Sequence, residues 1–242
     1  MTVTLFWPIR KKVTVTMKNI PVLYEDHNLL VLNKPAGLPV QGGAGIGLSL
    51  DSLLTEFYKP RPLLVHRLDK DTSGIIVTAK TRECAAACSA LFSDHGTDNR
   101  NGLQKTYLAL CAGIVIENGA VNEPLDVKDR SYNALTYYAS MGSSTLLDNK
   151  FSLLEINPAT GRMHQIRRHL SQIGCPILGD DKYGNFALNK KLKKNLGLKR
   201  LLLHAASIYL PSVLVEGGIK IEAPLPEYFK EILRQTGLIF PL

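Results

Sequence analysis

A chain of 242 residues, 45% hydrophobic and 21% charged, can bury a full core, which excludes intrinsic disorder and fits one large α+β unit with two lobes. Its 29 Lys and Arg against 21 Asp and Glu give a net charge of +8, which favours a polyanionic partner: RNA, DNA or an anionic membrane surface. MTVTLFWPIRKKVTV is soon broken by Pro8 and charge, so neither a signal peptide nor a membrane span is expected, and Cys84, Cys88, Cys111 and Cys175 form no CxxC pair, so buried free thiols in a reducing cytoplasm are expected.

In chain order, residues 1–20 read as an extended N-terminal arm in which VTVTM is an edge strand beside Arg10, Lys11 and Lys12. Two β-rich runs in VLYEDHNLLVLNKPAGLPV flank the turn formers Glu25, Asp26, His27 and Asn28, which predicts a hairpin followed by a loop opened by Lys34 and Pro35. GGAGIG lacks the third glycine of a dinucleotide fingerprint, where Leu48 stands, and is read as a loop. Asp51 to Tyr58 predicts a short helix, with Leu53, Leu54 and Phe57 on one face and Asp51 as its cap.

LLVHRLDKDTSGIIVTAK sets two β-like runs around an insertion holding Arg67, Asp69, Lys70, Asp71, Thr72 and Ser73, more polarity than a turn requires. An alanine-built helix is predicted over about Glu83 to Phe92, then a loop from Ser93 to Gly102, then a strand in QKTYLALCAGIVI. TGRMHQIRRHLSQIGCPILGDDKYG is the second polar concentration. Met163, Ile166, Leu170 and Ile173 recur at helical spacing, Thr160 helps cap the start, Gly174 ends the helix, and Arg167 flanks the apolar stripe with His164 and Ser171. Taken alone, that helix reads as one with a solvated basic face.

HRLDKDTSGIIVTAK, QKTYLALCAG, TGRMHQIRRHL, GDDKYG and LLLHA, in this order and spacing, resemble the RluA-type branch of the pseudouridine synthases over roughly residues 22 to 232. The resemblance implies a bent, mostly antiparallel mixed sheet flanked by helices with a central catalytic cleft, occupying residues 21–242. It implies that Asp69 is the catalytic aspartate, Arg67 the arginine that enters the RNA stack, Tyr107 the tyrosine lying against the target base, and Arg167 the arginine that pairs with the aspartate. Two departures stand out. LLLHAASIYL is followed only by Pro211 where the family often has His-Pro, and no room precedes residue 20 for a small N-terminal RNA-binding appendage.

The implied chemistry suits these residue types. Breaking the bond from ribose to uracil nitrogen, turning the base and rejoining it through carbon consumes no cofactor, metal or water, and one ionised carboxylate beside a guanidinium suffices. A uridine in folded RNA must be everted at a cost of a few kcal/mol, and Arg67, on the same side as Asp69 in an extended segment, fills the vacated place unless it pairs with Asp71. His66, Lys70, Arg162, His164 and Arg168 are expected as further RNA contacts. So are Lys190, Lys191, Lys193 and Lys194, on a helix whose Leu188, Leu192 and Leu196 face inward at the rim of the cleft.

No metal is expected, because His164 and His169 are five apart and share no face, and no GxSxG elbow supports a hydrolase. The expected protein is thus a cofactor-free isomerase of ribosomal or transfer RNA acting as a monomer. Its alternative is a non-catalytic RNA-binding or chaperone protein on the same scaffold.

Overall fold

The structure, a computed structural model, describes residues 17–43, 45, 47–93, 102–127 and 129–238. The expected strand VTVTM lies outside them except for Met17, which belongs to a single 3-10 turn, Met17–Asn19. Twelve strands and five helices follow among the described residues: β1 (Val22–Glu25), β2 (Leu29–Lys34), α1 (Leu50–Phe57), β3 (Leu63–Leu64), β4 (Ser73–Ala79), α2 (Arg82–Ser93), β5 (Gln104–Ala112), β6 (Gly119–Val121), β7 (Leu125–Val127), β8 (Arg130–Tyr132), β9 (Thr136–Leu146), β10 (Asn149–Pro158), α3 (Gln165–Gln172), α4 (Phe186–Leu196), β11 (Leu203–Leu210), β12 (Ile219–Glu222) and α5 (Glu227–Thr236).

The large sheet runs β1-β2-β4-β11-β5-β10-β9-β6, with β3 paired to β4 and β12 to β11, while β7 and β8 form a separate ribbon. Every pairing is antiparallel except β4 with β11, so the sheet is the mixed, mostly antiparallel one expected. That parallel seam is only two residues long, with Ser73 beside His204 and Gly74 beside Ala205. Gly74 is required there: its φ is +108°, and a Cβ would lie 2.2 Å from the Ala205 carbonyl oxygen.

Local sequence explains the elements that frame the seam. The β1–β2 turn closes because the Asp26 carboxylate accepts the Asn28 and Leu29 N–H groups at 2.7 and 2.6 Å. Helix α1 starts one residue earlier than expected and is capped by Ser49, not Asp51, through a box in which Ser49 and Ser52 accept each other's backbone N–H. Asn185 caps α4 by accepting Leu188 N–H, and Gly197 ends it in the left-handed region.

Two apolar clusters flank the seam. One gathers β1, β2, β4, α1 and α2 around Leu30, Leu32, Ile76 and Leu54; the other gathers β5, β10, α3, α4 and α5 around Leu110, Leu154, Leu170, Leu192 and Phe229. Tyr107 packs against both. It stands in β5 opposite Ala205 on one side and Ile156 on the other, in the same row across the sheet as Gly74. The two lobes therefore meet at Tyr107, and the connection from β3 to β4 that carries Asp69 ends on this row.

Candidate active site

Asp69 stands in the β3–β4 connection with its side chain 24% exposed, and its carbonyl accepts Thr72 N–H at 3.2 Å to round off the turn before β4. A cavity of about 280 Å³ opens beside it, lined among others by Arg67, Lys105, Tyr107, His164 and Arg167. A second cavity of about 580 Å³, bounded by the loop around Pro39, Gly42 and Gly47, shares Arg67, Asp69 and His164 with the first. The glycine-containing segment is a loop among its described residues, as expected.

The Asp69 turn is pinned from below by a side chain that sequence alone assigns to a loop. Lys34 ends β2 fully buried, and its Nζ donates to the carbonyls of Pro35, Leu38 and Lys70 at 3.0, 2.9 and 3.0 Å. Burial pulls its pKa down to about 7, opposed by the charges of Asp71 and Asp69. Three N–H donors meeting three carbonyls satisfy the ammonium completely.

Arg167 is the other fixed point: it pairs with Asp69 as expected, but its main partner is Asp180. Nε and Nη2 each donate to Asp180 at 2.8 Å in a two-pronged bond, Nη2 also reaches Asp181 at 3.0 Å, and only Nη1 turns to Asp69, at 3.4 Å. Asp180 in turn accepts the backbone N–H groups of Lys182 and Tyr183, both at 2.9 Å. Burial disfavours the Arg167 charge, but the hydrogen bonds and charge of Asp180, with Asp69, outweigh it and raise the pKa. Asp180 is correspondingly lowered by Arg167 and the two backbone donors, against its own burial.

Helix α3 differs from its predicted form. It begins at Gln165, after His164 in a left-handed conformation with φ 54°, so Met163 lies outside it and exposed. Thr160 does not cap the helix directly. Its hydroxyl donates to Gln165 Oε1, which also accepts Arg162 N–H, so a glutamine side chain closes the first turn. Of the expected apolar stripe only Ile166 and Leu170 are buried, joined by Gln165 and by His169, whose ring bonds Thr136 and the Glu123 carbonyl. The face grouping His164, Arg167 and Ser171 is the expected one, and all three meet Tyr183.

Tyr107 has its hydroxyl pKa raised by burial and by the negative charge of Asp69, and so stays protonated. Arg67 is exposed between the two cavities, and among the described residues it makes no ion pair, to Asp71 or otherwise. His66 is turned inward: its ring stacks on Phe92 at 4.1 Å, Nε2 accepts Val77 N–H, and burial followed by the charge of Lys105 brings its pKa to about 3. A neutral imidazole whose Nε2 already accepts carries its proton on Nδ1, and the ring forms part of the cavity wall.

Lys70 is exposed at the second cavity, while its carbonyl receives Lys34 and Gly37. Arg162 lines the first cavity and reaches the β7–β8 ribbon through Asn133 O and the Tyr132 ring. Arg168 bonds Asp126 O in the same ribbon and does not approach Asp69. Lys190, Lys191, Lys193 and Lys194 are exposed on α4. Lys191 reaches the Leu147 carbonyl, at the opposite end of β10 from Pro158 of the cavity, about 30 Å along a strand of this length. These lysines thus lie on the solvent face of α4, between the Asp180 turn that Asn189 holds and the β9–β10 turn that Lys191 reaches.

Among the described residues no group of three or more His, Cys, Asp or Glu is placed to hold a metal ion, and the four cysteines are buried free thiols. No helix of the described residues is long and apolar enough to cross a membrane. The residues that sequence reading missed are Asp180, Lys34 and Lys105. Lys105 was recoverable, since two residues before Tyr107 on a strand lies on the same face.

A family model described as RNA pseudouridylate synthase matches residues 28–172. The chain is 38% identical over 238 residues to a ribosomal large subunit pseudouridine synthase C of Rickettsia felis, covering 92% of this chain and 72% of that protein. It is 29% identical over 242 residues to a tRNA pseudouridine synthase C of Haemophilus ducreyi, covering 91% and 97%. Among solved structures, human RNA pseudouridylate synthase domain containing 4 superposes with a TM-score of 0.75 at 30% identity, over 91% of this chain and 94% of that one. Family match and fold agree, and the chain belongs to the RNA pseudouridylate synthases, isomerases that convert uridine to pseudouridine within RNA.

Proposed function

We propose that Asp69 carries out the reaction on a uridine everted from structured ribosomal RNA, with Arg167 and Tyr107 as its partners, in the cytoplasm and as a single chain. The observation that carries this reading is the Asp69 carboxylate set beside a cavity with one hydrogen-bonded guanidinium and one stacking-capable tyrosine. Ribosomal RNA is preferred to transfer RNA because the 38% identical relative bears the ribosomal name and the 29% identical one the transfer RNA name.

Attack of the carboxylate on the sugar carbon and removal of a ribose proton both begin from ionised Asp69. In either route the glycosidic C–N bond breaks, uracil turns, a C–C bond forms, and one proton leaves the ring carbon as another joins the freed nitrogen. Arg167 offsets charge on the detached base, and Tyr107 offers it a flat face. Arg67, shared by both cavities and without an ion pair among the described residues, takes the place that the uridine leaves in the stack. The exposed Lys70 and α4 lysines add further RNA contact.

Asp69→Asn keeps the shape and removes the charge, so conversion of uridine in ribosomal RNA should stop while RNA affinity stays within a few fold. Retained turnover would remove Asp69 from this role.

A further inference from the structure

Asp69 has two basic neighbours, and the chemistry proposed for it uses only one. Arg167 Nη1 lies 3.4 Å from Oδ2, and on the other oxygen His164 Nε2 lies 3.7 Å from Oδ1. The imidazole is built into place: Nδ1 is 3.2 Å from the Tyr183 hydroxyl, and the two rings meet edge to face at 5.7 Å and 77°. Its backbone is left-handed, with φ 54°, an uncommon conformation for a residue other than glycine, though one that histidine adopts more readily than most. Both cavities around Asp69 are lined by His164.

The tautomer follows from charge. If Tyr183 O–H donates to Nδ1, the proton on Nε2 faces the carboxylate; the opposite tautomer would aim a lone pair at an anion. We propose that His164 is a positioning residue for Asp69, giving Nε2–H to Oδ1 while Arg167 holds Oδ2, with Tyr183 fixing the ring. The proposal rests on Asp69 being the reactive carboxylate. A contact of 3.7 Å is long in the free enzyme, and such contacts tighten when substrate closes the site. Two donors on two oxygens fix the plane of the carboxylate.

The groups that face His164 are Asp69 from the β3–β4 connection, Arg167 from α3, and Asp180, Lys182 and Tyr183 from the segment between α3 and α4. Burial lowers its pKa most, Asp69 and Asp180 raise it, and Arg167 and Lys182 lower it, so the ring is neutral at pH 7. On acidification the imidazolium places a second positive charge beside Asp69. That stabilises the resting anion and makes it a weaker nucleophile or base, so turnover falls as the ring takes up its proton.

The test compares kcat, KM and the acid limb of the pH profile for wild type, His164→Ala, His164→Gln and Asp69→Asn, with thermal melts and RNA affinity as folding controls. Removing a donor to a charged group should lower kcat of His164→Ala by about tenfold with little change in KM. His164→Gln keeps a donor that cannot be protonated, so it should recover to within about threefold of wild type and move its acid limb to lower pH. Should His164→Ala melt early, His164→Gln alone decides. An acid limb of His164→Gln that coincides with wild type, or full kcat in a folded His164→Ala, overturns the proposal while Asp69→Asn stays inactive. Turnover by Asp69→Asn instead removes the reading on which it rests.

Discussion

Arg167 is bound more firmly to Asp180 than to Asp69: two bonds of 2.8 Å against one of 3.4 Å. Asp180 is 1% exposed and also ties the Lys182 and Tyr183 N–H groups, so the guanidinium plane is set by the protein before any RNA arrives. What remains for Asp69 is one N–H at a fixed angle.

Arg167→Lys should therefore remove more than a point charge can replace. A lysine cannot serve Asp180 with two prongs and Asp69 with a third, so turnover should fall at least tenfold and stability by about 2 kcal/mol. Asp180→Asn keeps the volume and is absent from the cavity lining, yet it should lower kcat with KM little changed, because it releases the Arg167 plane. Single-turnover kinetics and urea unfolding of both variants check this, and full activity in Asp180→Asn would show that the plane needs no such anchor.

Lys34 anchors the same turn from beneath. Lys34→Met leaves the Leu38 carbonyl in the interior without its donor, at a cost of about 2 kcal/mol. It also frees one of the two ties on the Lys70 carbonyl, next to Asp69, the other being Gly37 N–H. Turnover should fall in molecules that remain folded, and a stable, fully active Lys34→Met would count against a positioning role.

The two lobes, the hairpin, the Asp69 insertion and the amphipathic α4 were legible in the sequence, because each rests on local periodicity or turn chemistry. The Arg167–Asp180 fork was not. Thirteen positions separate the two residues, and the fork forms only because the turn after α3 brings the carboxylate back beside the helix. The same holds for Lys34, whose partner Lys70 is 36 positions away. Met163 misled for a local reason: the Gln165 side chain takes over the first turn, so the helix starts two residues after it.

Buried neutral histidines make stability depend on acid. His204 is fully buried between Ser73 and the Ala223 carbonyl, and burial, against the pull of that carbonyl, lowers its pKa to about 4. The unfolded chain binds a proton near pH 6.5 and the folded one near 4, so stability is complete above that window and falls as pH drops through it. The decrease from this residue is about 3 kcal/mol. Urea midpoints measured from pH 7 to 4 should decline, and the decline should be shallower in His204→Gln.

On α4, Leu192 is buried and Leu188 and Leu196 pack on the core, which turns Lys190, Lys191, Lys193 and Lys194 to solvent; no acidic residue occurs from Lys182 to Arg200. A run like this is often no more than a solvated surface. Its place matters here: the first turn of α4 is tied to the active-site turn, since Asn189 accepts Gly179 N–H and donates to the Asp180 carbonyl, each at 3.0 Å. Any RNA that binds these lysines would thereby sit on an element tied to the turn that holds Arg167. Replacing all four by Gln should weaken RNA binding and flatten the plot of log K against log salt by about 0.7 to 0.9 for each phosphate that is no longer neutralised. Asn189 is untouched, so the single-turnover rate at saturating enzyme should stay at the wild-type value. An unchanged salt slope would mean that these lysines only keep the protein in solution, and a reduced single-turnover rate would mean that they act on the chemistry through α4.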